Sequence, residues 1–196
     1  MADGAKARQR EETRRRLLSV ARELFAREGY AAVSLAEIAE AAAVTKGAVY
    51  HNFESKAELF RQVVEQVQGE VADRVGAAAD RESDEWDQLV AGCRAFLAVS
   101  CDRAVAQVML IDGPAVLGWN TWRAIDEASS ARQLTEVLTV LVDKGLVVDQ
   151  PVEPLARLLS GAMNEAALWL ARSGRPEDLT AVTAALERML DALRRN

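Results

Sequence analysis

Three hydroxyl side chains, Ser34, Thr45 and Ser55, each stand directly ahead of a segment with helical apolar spacing, so three helix starts are crowded into residues 34–55. A chain punctuated this closely must turn sharply between short helices. Ser34-Leu35-Ala36-Glu37 is a capping box: the serine hydroxyl accepts from the backbone N–H of residue 37, and the glutamate reaches back to the serine N–H. Leu35, Ile38, Ala39 and Ala42 then point inward. Thr45 opens a second short helix with Val49 and Tyr50 on its next turn, and Ser55 caps a long helix from Lys56 toward Ala79. Upstream, Leu17, Leu18, Ala21, Leu24 and Phe25 recur at offsets 0, 1, 4, 7 and 8, which predicts a helix over about 9–28 stopping at Gly29. Four helices fill the first 80 residues.

The pattern persists to the C-terminus. After an acidic break at 80–87, amphipathic stretches at about 84–101, 103–111, 114–128, 130–144, 153–173 and 176–195 predict further helices. Gly113-Pro114 and Gly145 punctuate them, and Leu146-Val147-Val148 reads as a loop or a stray strand. Pro176 suits a first helical position, followed by Glu177 and Asp178, so the last two segments form an αα-hairpin. No internal repeat has a period of about 20–50 residues. The expected fold is all-α. A length of 196 residues fits either one mid-sized domain or a small module joined to a larger one.

Composition narrows the function. With 50% apolar and 28% charged residues and only 4 prolines, the chain has the balance of a globular protein with a core. No run approaches the ~18 apolar residues of a membrane span, and Leu17–Ala21 leads straight into Arg22 and Glu23, so a cytoplasmic protein without membrane contact is expected. Cys93 and Cys101, if they share a helix, lie ~12 Å apart, beyond the ~7 Å Cα limit of a disulfide. They are expected to be reduced. His51 is the sole histidine, and neither a G-x-S-x-G elbow nor a phosphate-cradling glycine loop is present, so no enzyme, cofactor or metal is expected.

Charge is unevenly spread within the net −6: residues 1–53 carry nine Lys/Arg against seven acids, and the remainder 15 against 23. A mildly basic head on an acidic body implies that only the head meets a polyanion. Residues 34–53 have the anatomy of a helix-turn-helix, with Ala41-Ala42-Ala43-Val44 as the turn. An ordinary helical hairpin would share that outline. The outward face of the second helix separates the two: Thr45, Lys46, Gly47, Tyr50, His51 and Asn52 donate hydrogen bonds or bare the backbone, while Val49 and Phe53 look inward.

Residues Ile38 to Lys56, preceded by Phe25-Ala26-Arg27-Glu28-Gly29-Tyr30, resemble the TetR-type transcriptional regulators over about residues 10–60. The family usually has glycine where Ala43 stands, so alanine at a position wanting φ > 0 is expected to be strained by about 1 kcal/mol. The resemblance implies that Thr45, Lys46, Gly47 and Ala48 open a recognition helix in the major groove, with Lys46 donating to guanine. Tyr50, His51 and Asn52 would touch phosphate or sugar, Lys56 would anchor a phosphate, and Ser34 is counted with the DNA-facing set. Tyr50 has a competing place inside the head. The arginines from Arg8 to Arg16 are either a solvated face or a reach toward phosphate or the minor groove. Domain boundaries are expected at 1–54 for the head, 55–80 for a connecting helix and 81–196 for a ligand-binding and dimerisation domain.

Leu110 to Trp119 is similar, more locally, to the C-terminal domain of one branch of such regulators, which in the family binds a small molecule and dimerises. Leu159, Met163, Leu186, Met189 and Leu190 follow helical spacing and are expected at a four-helix dimer interface, where Gly161, Ala167, Ala181 and Ala185 permit close approach; the competing place is the chain's own core. Phe96, Met109, Leu110, Trp119, Trp122, Met163 and Trp169 are expected to wall an apolar pocket, with Arg123, Asn164 and Glu165 as polar contacts, although such a set also suits plain core. The function expected is a homodimeric repressor on a palindromic double-stranded DNA operator, released by a small hydrophobic or aromatic effector. Its alternatives are an activator of the same fold and a helical small-molecule-binding protein that does not regulate transcription.

Overall fold

The computed structural model describes residues 2–195. It is helical throughout apart from one isolated antiparallel bridge between Val147 and Arg194, where the Leu146-Val147-Val148 segment meets the end of the chain. The head comprises α1 (Ala2–Glu28), α2 (Leu35–Ala41) and α3 (Lys46–Asn52), packed mutually and against the start of α4 (Lys56–Ala79). Its core joins Leu17, Ala21 and Phe25 of α1 to Ile38, Ala39, Val49 and Phe53. The Phe60 ring meets Phe25 edge-on at 5.2 Å and Tyr30 at 4.9 Å, pinning α4 to the head.

α4 buries Leu59, Phe60, Val63, Val64, Val67, Gln68, Val71, Ala72 and Val75, one continuous stripe at three- and four-residue spacing. Its first turns therefore serve the head core. Its later turns pack on the body, made of α5 (Glu85–Ser100), α6 (Arg103–Ala106), a π-helix (Gln107–Asp112), α7 (Gly113–Leu117), α8 (Trp119–Glu127), α9 (Ser130–Asp143), α10 (Val152–Ser173) and α11 (Pro176–Asp191).

Residues 114–128, expected as one helix, are broken at Gly118, which adopts φ 78° between α7 and α8. Nor does Gly113-Pro114 end a helix. The π-helix runs directly into α7, with the Gly113 N–H donating five residues back to the Val108 carbonyl. In that register the partner of the Met109 carbonyl would be Pro114, which has no N–H. The Trp122 indole N–H takes its place at 2.7 Å, closing α8 onto the π-helix.

The terminal hairpin turns at Gly174, φ 65°, and α11 begins on Pro176 as expected. The inward stripe is corrected. Leu159, Met163, Leu186 and Leu190, assigned to a subunit interface from spacing, are buried inside the protomer, where α10 packs on α9 and α5, and α11 on α5 and α10. Of that set only Met189 is exposed, together with Leu158, Gly161, Ala162, Glu165 and Trp169 on α10 and Ala181 and Ala185 on α11.

Candidate nucleic-acid interface and cavity

The recognition segment is built by its caps. Ser34 Oγ accepts from the Glu37 N–H at 3.2 Å while Glu37 Oε2 accepts from the Ser34 N–H at 2.7 Å, and Thr45 Oγ1 accepts from the Ala48 N–H at 3.2 Å. Ala43 sits in the turn at φ 50°, the only described non-glycine with positive φ, stabilised by its N–H donating to the Glu40 carbonyl and the Val44 N–H to the Ala39 carbonyl. The left-handed conformation costs an alanine about 1 kcal/mol, and the head retains it because Ala42 is buried on one side and Val49 on the other.

Val49 and Phe53 hold α3 to the core, and its opposite face opens to solvent. Thr45, Lys46, Gly47 and His51 are exposed and Tyr50 is 62% exposed, so the tyrosine ring stands outward rather than inside the head. Ala48 is half-buried, as is Asn52, whose Nδ2 donates to the Ala48 carbonyl at 2.8 Å within its own helix. Ser34, Lys46, Tyr50 and Lys56 share one open concavity with Ala31, Ala32 and Leu35. The Lys56 ammonium donates to the Tyr30 carbonyl and lies 4.0 Å from the centre of the Tyr30 ring; burial there draws its pKa below the usual lysine value, opposed by the fields of Asp112 and Glu37.

Two arginines of the Arg8–Arg16 stretch have a role the sequence reading missed. Arg10 donates to the His51 carbonyl at 3.3 Å and Arg14 to the Asn52 carbonyl at 3.4 Å, so α1 caps the C-terminal end of α3. Arg14 also lies 5.1 Å from the Phe53 ring centre. The helix-start signature of α3 was readable from Thr45, whereas its far end is held by residues some forty positions upstream.

A cavity of about 430 Å³ lies in the body between α4, α5, α9 and α10. Its apolar wall includes Val75, Leu89, Cys93, Phe96, Leu134 and Met163, so of the expected pocket residues the structure brings Phe96 and Met163 to it. The others sit elsewhere. Met109, Leu110 and Trp122 are buried around the π-helix, Trp119 is 64% exposed with its ring 5.1 Å from Trp122, and Trp169 lies beside Glu165 and Arg172 on the surface. Asn164 is half-buried, its Oδ1 without a hydrogen-bond partner. Two of the lining residues, Gly76 on α4 and Gly92 on α5, carry no side chain: a Cβ on Gly92 would lie 3.5 Å from Val75 Cγ1, and one on Gly76 3.2 Å from Gln133 Nε2. Glycine inside two otherwise strong helices was the available signal. Cys93 is free, and burial pushes its thiol up to about 12, leaving it inert.

Behind the cavity, Arg123 bridges Asp126 at 2.7 Å and Ser160 at 3.2 Å. Burial raises the Asp126 carboxyl to about 6 against the opposing pull of Arg123, with Glu127 raising it further and Ser160 lowering it. A carboxyl raised on folding binds its proton more tightly in the native state, so its contribution to stability is fully present below about pH 4 and is lost as pH rises through about 6. Asp126→Asn is expected to raise unfolding free energy at pH 7.5 by on the order of 1–3 kcal/mol, with the gain disappearing toward pH 4. Urea titrations of both proteins at several pH values check this; a gain independent of pH would mean that Asp126 does not titrate in this range.

Head and body also touch directly, since α1 packs on α6 and the π-helix. Asp112, closing the π-helix, accepts the Tyr30 N–H at 2.8 Å. Among the described residues, no helix is long and apolar enough to cross a membrane.

Residues 17–63 match the model for bacterial regulatory proteins of the tetR family, and residues 86–193 match that for the tetracyclin repressor-like C-terminal domain. A crystal structure of a TetR-family transcriptional regulator from Pectobacterium atrosepticum is similar at a TM-score of 0.78 and 32% identity, covering 96% of this chain and 97% of that one. The HTH-type transcriptional regulator TtgR of Pseudomonas putida is 40% identical over 83 residues, 42% of this chain and 38% of its own. The HTH-type transcriptional regulator AcrR of Shigella flexneri is 47% identical over 55 residues, 28% of this chain and 26% of its own. The matched region thus spans well under half the length of these curated relatives. With a capped helix-turn-helix at one end and a matching helical body at the other, the chain belongs to the TetR family of bacterial transcriptional regulators, which are DNA-binding proteins rather than enzymes.

Proposed function

We propose that this regulator is a repressor that binds a palindromic operator as a homodimer and releases it when a small apolar or aromatic molecule occupies the cavity. The observation that carries this reading is α3: its hydrogen-bonding face is bare while both of its ends are held, by Thr45 at the start and by Arg10 and Arg14 at the finish. In it, residues 1–54 form the DNA-binding head, 55–80 the connecting helix, and 81–196 the effector and dimerisation domain. Thr45, Lys46, Gly47 and Ala48 enter the major groove; Tyr50, His51, Asn52, Lys56 and Ser34 set the register on phosphate and sugar. The exposed stripe Leu158, Gly161, Ala162 and Trp169, with Ala181, Ala185 and Met189, supplies the self-complementary face.

Release is a population shift, limited by how much better the effector binds the state with wrongly spaced recognition helices. The connections that carry it are α4 and the packing of α1 on α6 and the π-helix, with the Asp112–Tyr30 hydrogen bond. Footprinting on the DNA upstream of its own gene, read with the sign of a reporter, tests the proposal: protection of two half-sites centred about 34–36 Å apart and a rise in expression on release are expected. An asymmetric single half-site, or a fall in expression, overturns it. Lys46→Ala is expected to weaken operator binding by about 1–3 kcal/mol and relax preference at one base pair, whereas Lys56→Ala weakens all sequences alike and lowers the salt slope by about one. Titrations against operator and scrambled DNA at several salt concentrations measure both.

A further inference from the structure

We propose that the cavity selects an apolar molecule that offers an N–H or O–H donor and carries no negative charge. This deepens the effector-site reading and rests on it. An unused acceptor lies just beneath the inner wall. Gln133 lines the cavity; its Nε2 donates to the Ala72 carbonyl on α4 at 3.2 Å, which fixes the amide, and its Oε1 is buried with no donor. A buried acceptor left bare costs about 1–3 kcal/mol, and a ligand donor that displaces the atoms covering it recovers that cost. Ser160, the buried polar residue of the lining, already accepts from Arg123.

Charge on the wall has one sign. Asp80, Glu85 and Glu136 are its charged members, and neither Lys, Arg nor His is among the lining residues. Glu85 pairs with Lys144 and Glu136 with Arg132 at 2.9 Å, but both cations lie outside the lining. Asp80 has no ion-pair partner among the described residues. An anionic ligand would exchange water for carboxylates and an acceptor oxygen, with no cation to replace its hydration. A neutral amine or phenol meets no such penalty.

Two fluorescent probes that share one ring system separate the alternatives: N-phenyl-1-naphthylamine, neutral with one N–H, and 8-anilinonaphthalene-1-sulfonate, the same rings with a sulfonate. The neutral probe is expected to bind at least about tenfold more tightly, and Gln133→Leu to weaken it by about tenfold. In the doubly neutralised variant Asp80→Asn with Glu136→Gln, which leaves the apolar wall intact, the handicap of the sulfonate is expected to shrink by about threefold or more. Equal affinity of the two probes for the unaltered protein, or no effect of Gln133→Leu on the neutral one in a variant with an unchanged circular dichroism spectrum, overturns the charge and donor rule. Val137→Trp, which fills the cavity from α9, distinguishes the deeper failure: if both probes bind it as they bind the unaltered protein, they are not in the cavity, and the effector-site reading falls with the rule.

Discussion

Leu158→Glu is expected to abolish the proposed dimer without unfolding the protomer. Leu158 is 72% exposed on α10 and Gly161, one turn on, has open space where a Cβ would stand, so a glutamate costs the isolated protomer no more than about 0.5 kcal/mol. Across a two-fold interface the same residue appears twice, and a buried unpaired carboxylate costs several kcal/mol, which corresponds to at least a hundredfold weaker dimer. Operator affinity then falls with it, because each monomer presents a single recognition helix. Leu186→Glu is the counterpart. Its side chain is 7% exposed inside the protomer, so the variant is expected to lose helicity and cooperative unfolding rather than to dissociate cleanly. Light scattering and circular dichroism on both variants distinguish the outcomes; a folded Leu158→Glu dimer would remove the stripe from the interface.

Gly113→Ala is expected to destabilise the protein by about 3 kcal/mol, a large cost for one methyl group. A Cβ at Gly113 would lie 2.8 Å from Trp122 Cδ1 and 3.2 Å from the Val108 carbonyl oxygen, and Trp122 is a buried indole. Relief requires the ring to move, which breaks its 2.7 Å hydrogen bond to the Met109 carbonyl and leaves that carbonyl unpaired, since Pro114 offers no N–H. Chemical denaturation measures the loss. Because the Trp122 environment changes with it, the intrinsic emission of the native state is expected to shift as well. An unfolding midpoint within error of the unaltered protein would mean that the π-helix yields freely and that Asp112 is not rigidly presented to Tyr30.

The helices of the head, their caps, and the orientation of α3 were legible because each is set within about four residues. The capping box is a bond between Ser34 and Glu37, the Thr45 cap reaches only to Ala48, and the strained turn was marked by alanine at position 43. Even the division of α3 into an inward pair, Val49 and Phe53, and an outward donor set follows from the helical repeat. Such features survive whatever the rest of the chain does.

The body was legible as helices but not as surfaces. Periodicity states that Leu158 and Leu159 lie on neighbouring faces of α10; it does not state which face α5 covers, and the structure buries Leu159 and leaves Leu158 bare. The tryptophans misled for a related reason. An indole fills core as readily as it lines a pocket, and Trp122 is committed to the Met109 carbonyl while the cavity opens between α4, α5, α9 and α10. The π-register of residues 107–112, the Arg10 and Arg14 caps on α3 and the Asp112–Tyr30 bond likewise join groups far apart in sequence. Hydrogen bonds within one turn settle the head helices, their starts and the solvent-facing side of α3, and these are readable along the chain. Tertiary structure alone decided which apolar stripe is core, where the cavity opens and how the head is fastened to the body, because packing between distant segments chooses among faces that local bonding leaves equivalent.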